Sequence, residues 1–412
     1  MLDNPVAARN QPARHLPLHT ERDRWLMLGL ATLGFAVNFW AWALLSPLAV
    51  HFKQALALSS FQQSLLVAVP VIVGSLGRIP VGALTDRYGG RVMFPAVSFA
   101  TILPVLFLGL AGYRSYAAML AGGFALGLAG TAFAVGVPFV TAWFPPERRG
   151  FAVGIFGAGM GGTAISALTT VKIFDAHGIH TPFAAVAVAL ALYGTVAAVL
   201  LRDAPGRVPA ATPVSSRLAA AARLRITWQA AALYAVGFGG YVAFSVYLPT
   251  YLKAAYDLSP SDAATKMAGF VLLAVLMRPV GGWLSDRFPA TRVLGAAFAA
   301  LSAFALVQAS TPALRPTATV AFLCMAAAVG TASGAVFALV AQRTPAHQVG
   351  AVTGIVGAAG GLGGFLPPLL MGSLYGHTDS YAGGLIALAV VAAAILVFTV
   401  VALRPRGVAA TA

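Results

Sequence analysis

Arg78-Ile-Pro-Val-Gly82-Ala-Leu-Thr-Asp86-Arg87 is followed two hundred residues later by Arg278-Pro-Val-Gly-Gly282-Trp-Leu-Ser-Asp286-Arg287. Arginine, glycine, leucine, aspartate and arginine keep one spacing in both copies. The same offset of 200 relates Gly154, Ile155, Gly157, Ala158 and Gly161 to Gly354, Ile355, Gly357, Ala358 and Gly361. It also relates Thr131 and Pro145 to Thr331 and Pro345. One offset holding in three separate regions marks an internal duplication. Two halves therefore share one element order, with a binding site expected on the axis that relates them.

Outward from these copies the chain is apolar. Of 412 residues, 59% are hydrophobic and 9% charged, and the mean hydropathy is +0.85. Soluble domains carry about 25% charge, so 37 charged side chains cannot coat the surface of a soluble chain this long. The single Cys324 lies in an apolar run, which excludes a disulfide framework or a cysteine metal site. The net charge of +15 is dispersed between apolar segments. Nucleic-acid binding would need a basic stripe, so the charge reads as membrane topology.

Twelve segments have the length needed to cross ~30 Å of hydrocarbon as helix. Their approximate limits are 25–50, 61–84, 92–112, 116–143, 149–171, 182–202, 228–253, 264–285, 291–310, 317–341, 349–373 and 381–403. A barrel would need short alternating segments instead. The expected fold is an all-α integral membrane protein of twelve transmembrane helices in two pseudo-twofold-related six-helix halves. Residues 1–24 lack the apolar core of a signal peptide and read as a cytoplasmic tail. The halves are expected at 25–202 and 228–404, joined by a linker at 203–227, with a second tail at 405–412. The linker is the longest connection and carries Arg207, Arg217, Arg223 and Arg225 with three prolines.

Lys/Arg asymmetry orients such a chain. With both termini in the cytoplasm, eighteen basic residues fall inside and six outside: Lys53, Arg114, Lys172, Lys253, Lys266 and Arg315. The remaining two, Arg78 and Arg278, lie within spans two and eight. Each sits about two helical turns before its aspartate, a rise of ~11 Å, which is long for a snorkelling side chain. A buried arginine costs ~2.5–3.5 kcal/mol even on insertion scales and keeps its charge. All eleven acids lie in tails, loops or helix ends. Two central cations without a carboxylate make an anion site, and the guanidinium fork suits a small planar oxyanion held bidentately.

Other groups join them. Tyr234 and Phe238 in span seven are four residues apart, hence on one helix face. Phe133 in span four supplies a further ring; packing alone is the competing reading for both phenylalanines. Spans five and eleven carry Gly154, Gly157, Gly161 and Gly162, and Gly354, Gly357 and Gly361. Small residues at this spacing let helices approach closely and offer a face over which one half can rock. Asp86 and Arg87, with their echo Asp286 and Arg287, read as a cytoplasmic gate in which each acid pairs with basic residues across its half.

The doubled Gly82-to-Arg87 loop resembles the signature of the major facilitator superfamily, along the whole chain. Within it the chain is similar to the nitrate/nitrite porter (NarK-type) family in four places. These are the glycine-rich signatures Gly154–Thr163 and Gly354–Gly364, the arginines Arg78 and Arg278, the pair Tyr234 and Phe238, and Phe133 after the small-residue run of span four. The resemblance implies nitrate or nitrite held between the arginines and sandwiched by rings. One position departs from the family. Its span-five signature includes an asparagine, where this chain has Met160 and Gly161; Asn38, Thr163 and Ser166 are the polar groups available to replace it.

Proton symport uses an intramembrane acid or histidine. The spans hold no central acid, and only His51 and His377 sit near span ends on the outer side. The expectation is therefore nitrate/nitrite exchange by rocker-switch alternating access. Proton-coupled transport is the alternative, and a non-transporting nitrate sensor is the alternative of another class. No metal cluster, nucleophile–base pair or phosphate loop suggests an enzyme, and no cofactor or nucleic acid is expected. The expected partners are nitrate, nitrite and the lipid bilayer of the plasma membrane, and a monomer suffices.

Overall fold

A computed structural model describes residues 21–207, 212–378 and 380–403. Residues 1–20 and 405–412 of the expected tails lie outside the described residues, as do 208–211 of the linker. Twelve helical spans follow in order. Those of the first half are Glu21–Ala49, Leu65–Tyr88, Gly90–Leu110, Tyr116–Trp143, Pro146–His177 and His180–Leu200. A short helix, Val214–Arg223, occupies the linker. The second half continues with Arg225–Tyr256, Pro260–Arg287, Ala290–Ala309, Leu314–Arg343, Val349–Thr378 and Ala382–Ala402. Among the described residues eleven of these are long and apolar enough to cross a membrane. Span seven, 32 residues long, completes the twelve.

The surface explains why this chain needs lipid. Leu103 and Val199 are 72% exposed. Leu192, Val397 and Val401 also point outward. Such faces suit hydrocarbon and not water. Helix starts are capped where the sequence provides serine: Ser59 accepts from Gln62 N, Ser115 from Ala118 N and Ser259 from Asp262 N. Each cap supplies an oxygen to an N–H that lacks an intrahelical partner.

Proline and glycine break the first half where the second runs on. Span two divides at Gly77 into Ser60–Leu76 and Arg78–Tyr88. Pro80 just beyond the break has no N–H to return to the preceding turn. Span four tightens to a 3-10 turn over Gly127–Thr131, and span five over Ala158–Gly161. Tight turns of this kind inside a helix accompany hinges and strained sequence. Spans eight, ten and eleven, their counterparts, are unbroken at these places.

The halves meet along two crossings related by the repeat. Span eleven lies against span two, and span five against span eight. Backbones nearly touch there. A β-carbon on Gly82 would overlap the Gly350 carbonyl, and one on Gly282 the Gly150 carbonyl. These contacts seal the face that carries the linker. On the opposite side a cavity of about 120 Å³ opens between the halves. Phe39, Trp42 and Pro70 line it from one half, and Phe238, Tyr241 and Met267 from the other.

Candidate functional site

Arg78 and Arg278 are brought together at the centre of the bundle, 2% and 3% exposed. The Phe133 ring serves both: the two guanidinium carbons stand 5.5 and 5.8 Å from its centroid. Arg78 also lies 5.5 Å from the Phe238 ring. Such cation–π contacts contribute about 2 kcal/mol or more when desolvated. Among the described residues no carboxylate pairs with either arginine.

The rings form one column. Phe133 and Tyr234 are parallel within 7° at 6.2 Å, and Tyr234 and Phe238 within 7° at 4.9 Å. Phe337 closes the column edge-on to Phe133 and Tyr234, at 4.7 and 4.6 Å. Tyr234 and Phe238 stack because one helical turn places them on the same face. Phe133 arrives from the other half, on the first turn after the 3-10 segment of span four. Phe238 also lines the open cavity, so the column links that cavity to the arginines.

Backbone supplies the oxygens. Arg78 Nε donates to the Gly130 carbonyl and its Nη1 to the Gly357 carbonyl, both at 3.0 Å. One carbonyl comes from each half. Arg278 Nη1 donates to Met160 Sδ at 2.8 Å, its Nη2 stands 3.5 Å from Tyr234 Oη, and its Nε has no partner. A buried guanidinium offers five donors and no acceptor. The site is therefore rich in donors and short of acceptors, the chemistry that binds an oxyanion.

The glycines divide by what they touch. A β-carbon on Gly157 would stand 2.5 Å from Arg278 Nε, and one on Gly357 would stand 3.0 Å from Arg78 Cδ. Gly154 and Gly354 lie against the backbones of Arg278 and Arg78. Gly162 abuts the Ala36 carbonyl, and Gly361 abuts Ser75 Oγ. Gly161 faces open space, with Val275 at 4.0 Å.

The acids of the repeated loop reach across to the other half. Asp86 accepts from Gly350 N at 2.9 Å and Ala351 N at 3.0 Å, at the start of span eleven. Asp286 accepts from Gly150 N at 2.9 Å and Phe151 N at 2.7 Å, at the start of span five. A carboxylate at a helix start satisfies its free N–H groups and opposes its dipole. The structure does not pair either acid with a basic neighbour in its own loop. Arg87 lies over Tyr88 at 5.4 Å and Arg287 over Trp283 at 4.4 Å. The cation on Asp86 is Arg217 of the linker helix.

Two kinds of group escaped the sequence. The Gly130 and Gly357 carbonyls carry no residue signal, since every residue has one. Arg217 is one of several linker arginines, and only its burial sets it apart. Of the three polar groups considered for the missing asparagine, none bonds to an arginine. Asn38 donates to Gly34 O and Ser98 Oγ, Thr163 to Met160 O, and Ser166 shares a hydrogen bond with Thr170.

The sequence profile of the Major Facilitator Superfamily matches residues 31–368, with a further match over 253–411. A Mycobacterium tuberculosis protein named probable nitrate/nitrite transporter NarK2 is 51% identical over 381 residues, 92% of this chain and 96% of its own. The nitrite extrusion protein of Bacillus subtilis is 35% identical, covering 91% and 93%. The probable nitrate/nitrite antiporter NarK1 of Thermus thermophilus is 34% identical, covering 86% and 87%. Among solved structures, the Escherichia coli fucose:proton symporter FucP superposes with a TM-score of 0.73 at 19% identity, over 92% of this chain and 98% of that one. At that identity the likeness is one of fold.

Proposed function

The chain belongs to the nitrate/nitrite porters of the major facilitator superfamily, and from that membership we propose that it exchanges nitrate for nitrite across the plasma membrane. The observation that carries this reading is the pair of buried guanidinium groups sharing one aromatic ring with no carboxylate between them. A small planar anion fits two such forks, and the Phe133 and Phe238 rings beside Arg78 offer flat faces to a flat ion. The relatives named for nitrate and nitrite support the choice of ion.

Exchange follows from the charge of the empty site. Closing the bundle around two unneutralised cations leaves them to repel one another at low dielectric. A bound anion screens that repulsion, so the loaded carrier swings and the empty one stalls. Among the described residues no acid or histidine bonds to either arginine, which leaves no obvious proton carrier. The sealed seam lies on the face of the linker, and the Lys/Arg bias places that face and both termini in the cytoplasm. In this conformation the cavity lined by Phe238 opens on the side away from that seam, and one chain is the working unit.

Counterflow tests the reading. Proteoliposomes preloaded with nitrite should take up labelled nitrate several times faster than empty ones, at equal pH on both sides. Uptake that responds steeply to an inward proton gradient and ignores internal nitrite would replace exchange by proton coupling. Binding of nitrate without flux would make the protein a sensor.

A further inference from the structure

Arg78 and Arg278 hold equivalent positions in the repeat, yet they are held differently. Arg78 is bound to the carbonyls of Gly130 and Gly357. The matching carbonyls for Arg278 belong to Gly330 and Gly157, and Arg278 donates to neither. Local backbone accounts for part of this. Gly130 lies in the 3-10 turn of span four, whereas Gly330 lies inside an unbroken helix, where its carbonyl faces the next turn. Arg278 instead meets the 3-10 turn of span five, at Met160.

Met160 is 1% exposed, and its backbone carbonyl accepts from Thr163 Oγ1 at 3.0 Å. The matching residue in the other half is Gly360, where any side chain would overlap the Tyr234 ring. The thioether is therefore a feature of one half only. Sulfur is a weak acceptor, and the Nε of the same guanidinium has no partner. A charged donor group so poorly matched gains more from an incoming oxygen than Arg78 does.

We propose that Met160 is a positioning residue: its thioether holds the Arg278 guanidinium in the empty site and yields it to the anion. This one side chain then sets the affinity of the oxyanion site. The inference rests on the nitrate/nitrite reading of that site. Replacing the sulfur by carbon leaves Nη1 unsatisfied until the anion arrives, so binding tightens and release slows. Replacing it by an amide oxygen gives the guanidinium a stronger acceptor that the anion must displace, so binding weakens. A residue that only fills space would not shift affinity in opposite directions.

The test uses the full-length protein with Met160→Leu and Met160→Gln. Nitrite-loaded proteoliposomes give the half-saturation concentration and maximal rate for labelled nitrate. Calorimetry on the purified protein gives nitrate affinity without requiring exchange. Met160→Leu should lower the half-saturation concentration roughly three- to tenfold and reduce the maximal rate. Met160→Gln should raise half-saturation by a comparable factor. Should one variant fail to fold, the sign of the other decides. Affinities within twofold of wild type, or shifted the same way in both, overturn the proposal. Absence of exchange in the wild type overturns the functional reading instead, and the calorimetric order then decides on Met160.

Discussion

Arg217, on the helix joining the two halves, forms a buried ion pair with Asp86 at the end of span two. The same guanidinium donates to Ala83 O at 2.8 Å and His347 O at 3.0 Å. One linker side chain thus ties span two to the approach of span eleven. Among the described residues no cation does this for Asp286, which holds only the Gly150 and Phe151 amides. The seam is symmetric in its helix starts and asymmetric in its bolt.

Arg217→Ala should loosen that seam. Removing one partner of a buried pair costs about 3–5 kcal/mol, and the two amides on Asp86 lower the figure here. The buried Ser285, also on this face, is a reporter. In a Cys324→Ser background, Ser285→Cys should react several times faster with an impermeant maleimide once Arg217 is removed. Equal labelling rates would mean that the linker does not bolt the gate.

The glycine positions should rank by the space beside them. Gly157→Ala drives a methyl against Arg278 Nε and should reduce exchange at least about tenfold, the equivalent of ~1.4 kcal/mol. Gly357→Ala leaves 3.0 Å to the Cδ of Arg78 and should cost less. Gly161→Ala should be nearly silent, because nothing nearer than Val275 opposes it. Initial rates of nitrate uptake at matched protein levels give the order, and a silent Gly157→Ala would remove that glycine from the site.

Lysine should not replace either arginine. Lys keeps the charge but is a point donor, without the planar fork. At position 78 it would have to span carbonyls that come from different halves, each bond to a charged donor being worth about 1.5–3 kcal/mol. Arg78→Lys and Arg278→Lys should each lower nitrate exchange by about 100-fold or more, with monodisperse protein on size exclusion. Wild-type uptake by both variants would end the two-arginine site.

Phe133→Leu tests the shared ring. Leucine keeps the volume apolar but loses the π face that two guanidinium groups use. Two desolvated cation–π contacts of about 2 kcal/mol each predict a fall in nitrate affinity of about tenfold or more, read by calorimetry. Phe337→Leu, which alters only edge-on packing, should fall less.

How much of this was legible in the sequence depends on periodicity and on rarity. The 200-residue offset and twelve apolar stretches fix a duplicated helical bundle, because a backbone in hydrocarbon must satisfy its own hydrogen bonds. Arg78 and Arg278 were legible because a charge inside an apolar span is costly and therefore rare. Tyr234 and Phe238 were legible because a helix places residues four apart on one face. The acceptors were not, since the carbonyls of Gly130 and Gly357 exist at every residue and only the fold aims them. Nor could the sequence tell Met160 from a packing methionine, or Arg217 from its linker neighbours. Those roles arise where spans far apart in the chain cross. Which atoms meet there is decided by helix breaks, by glycines that admit close approach and by the register of one half on the other.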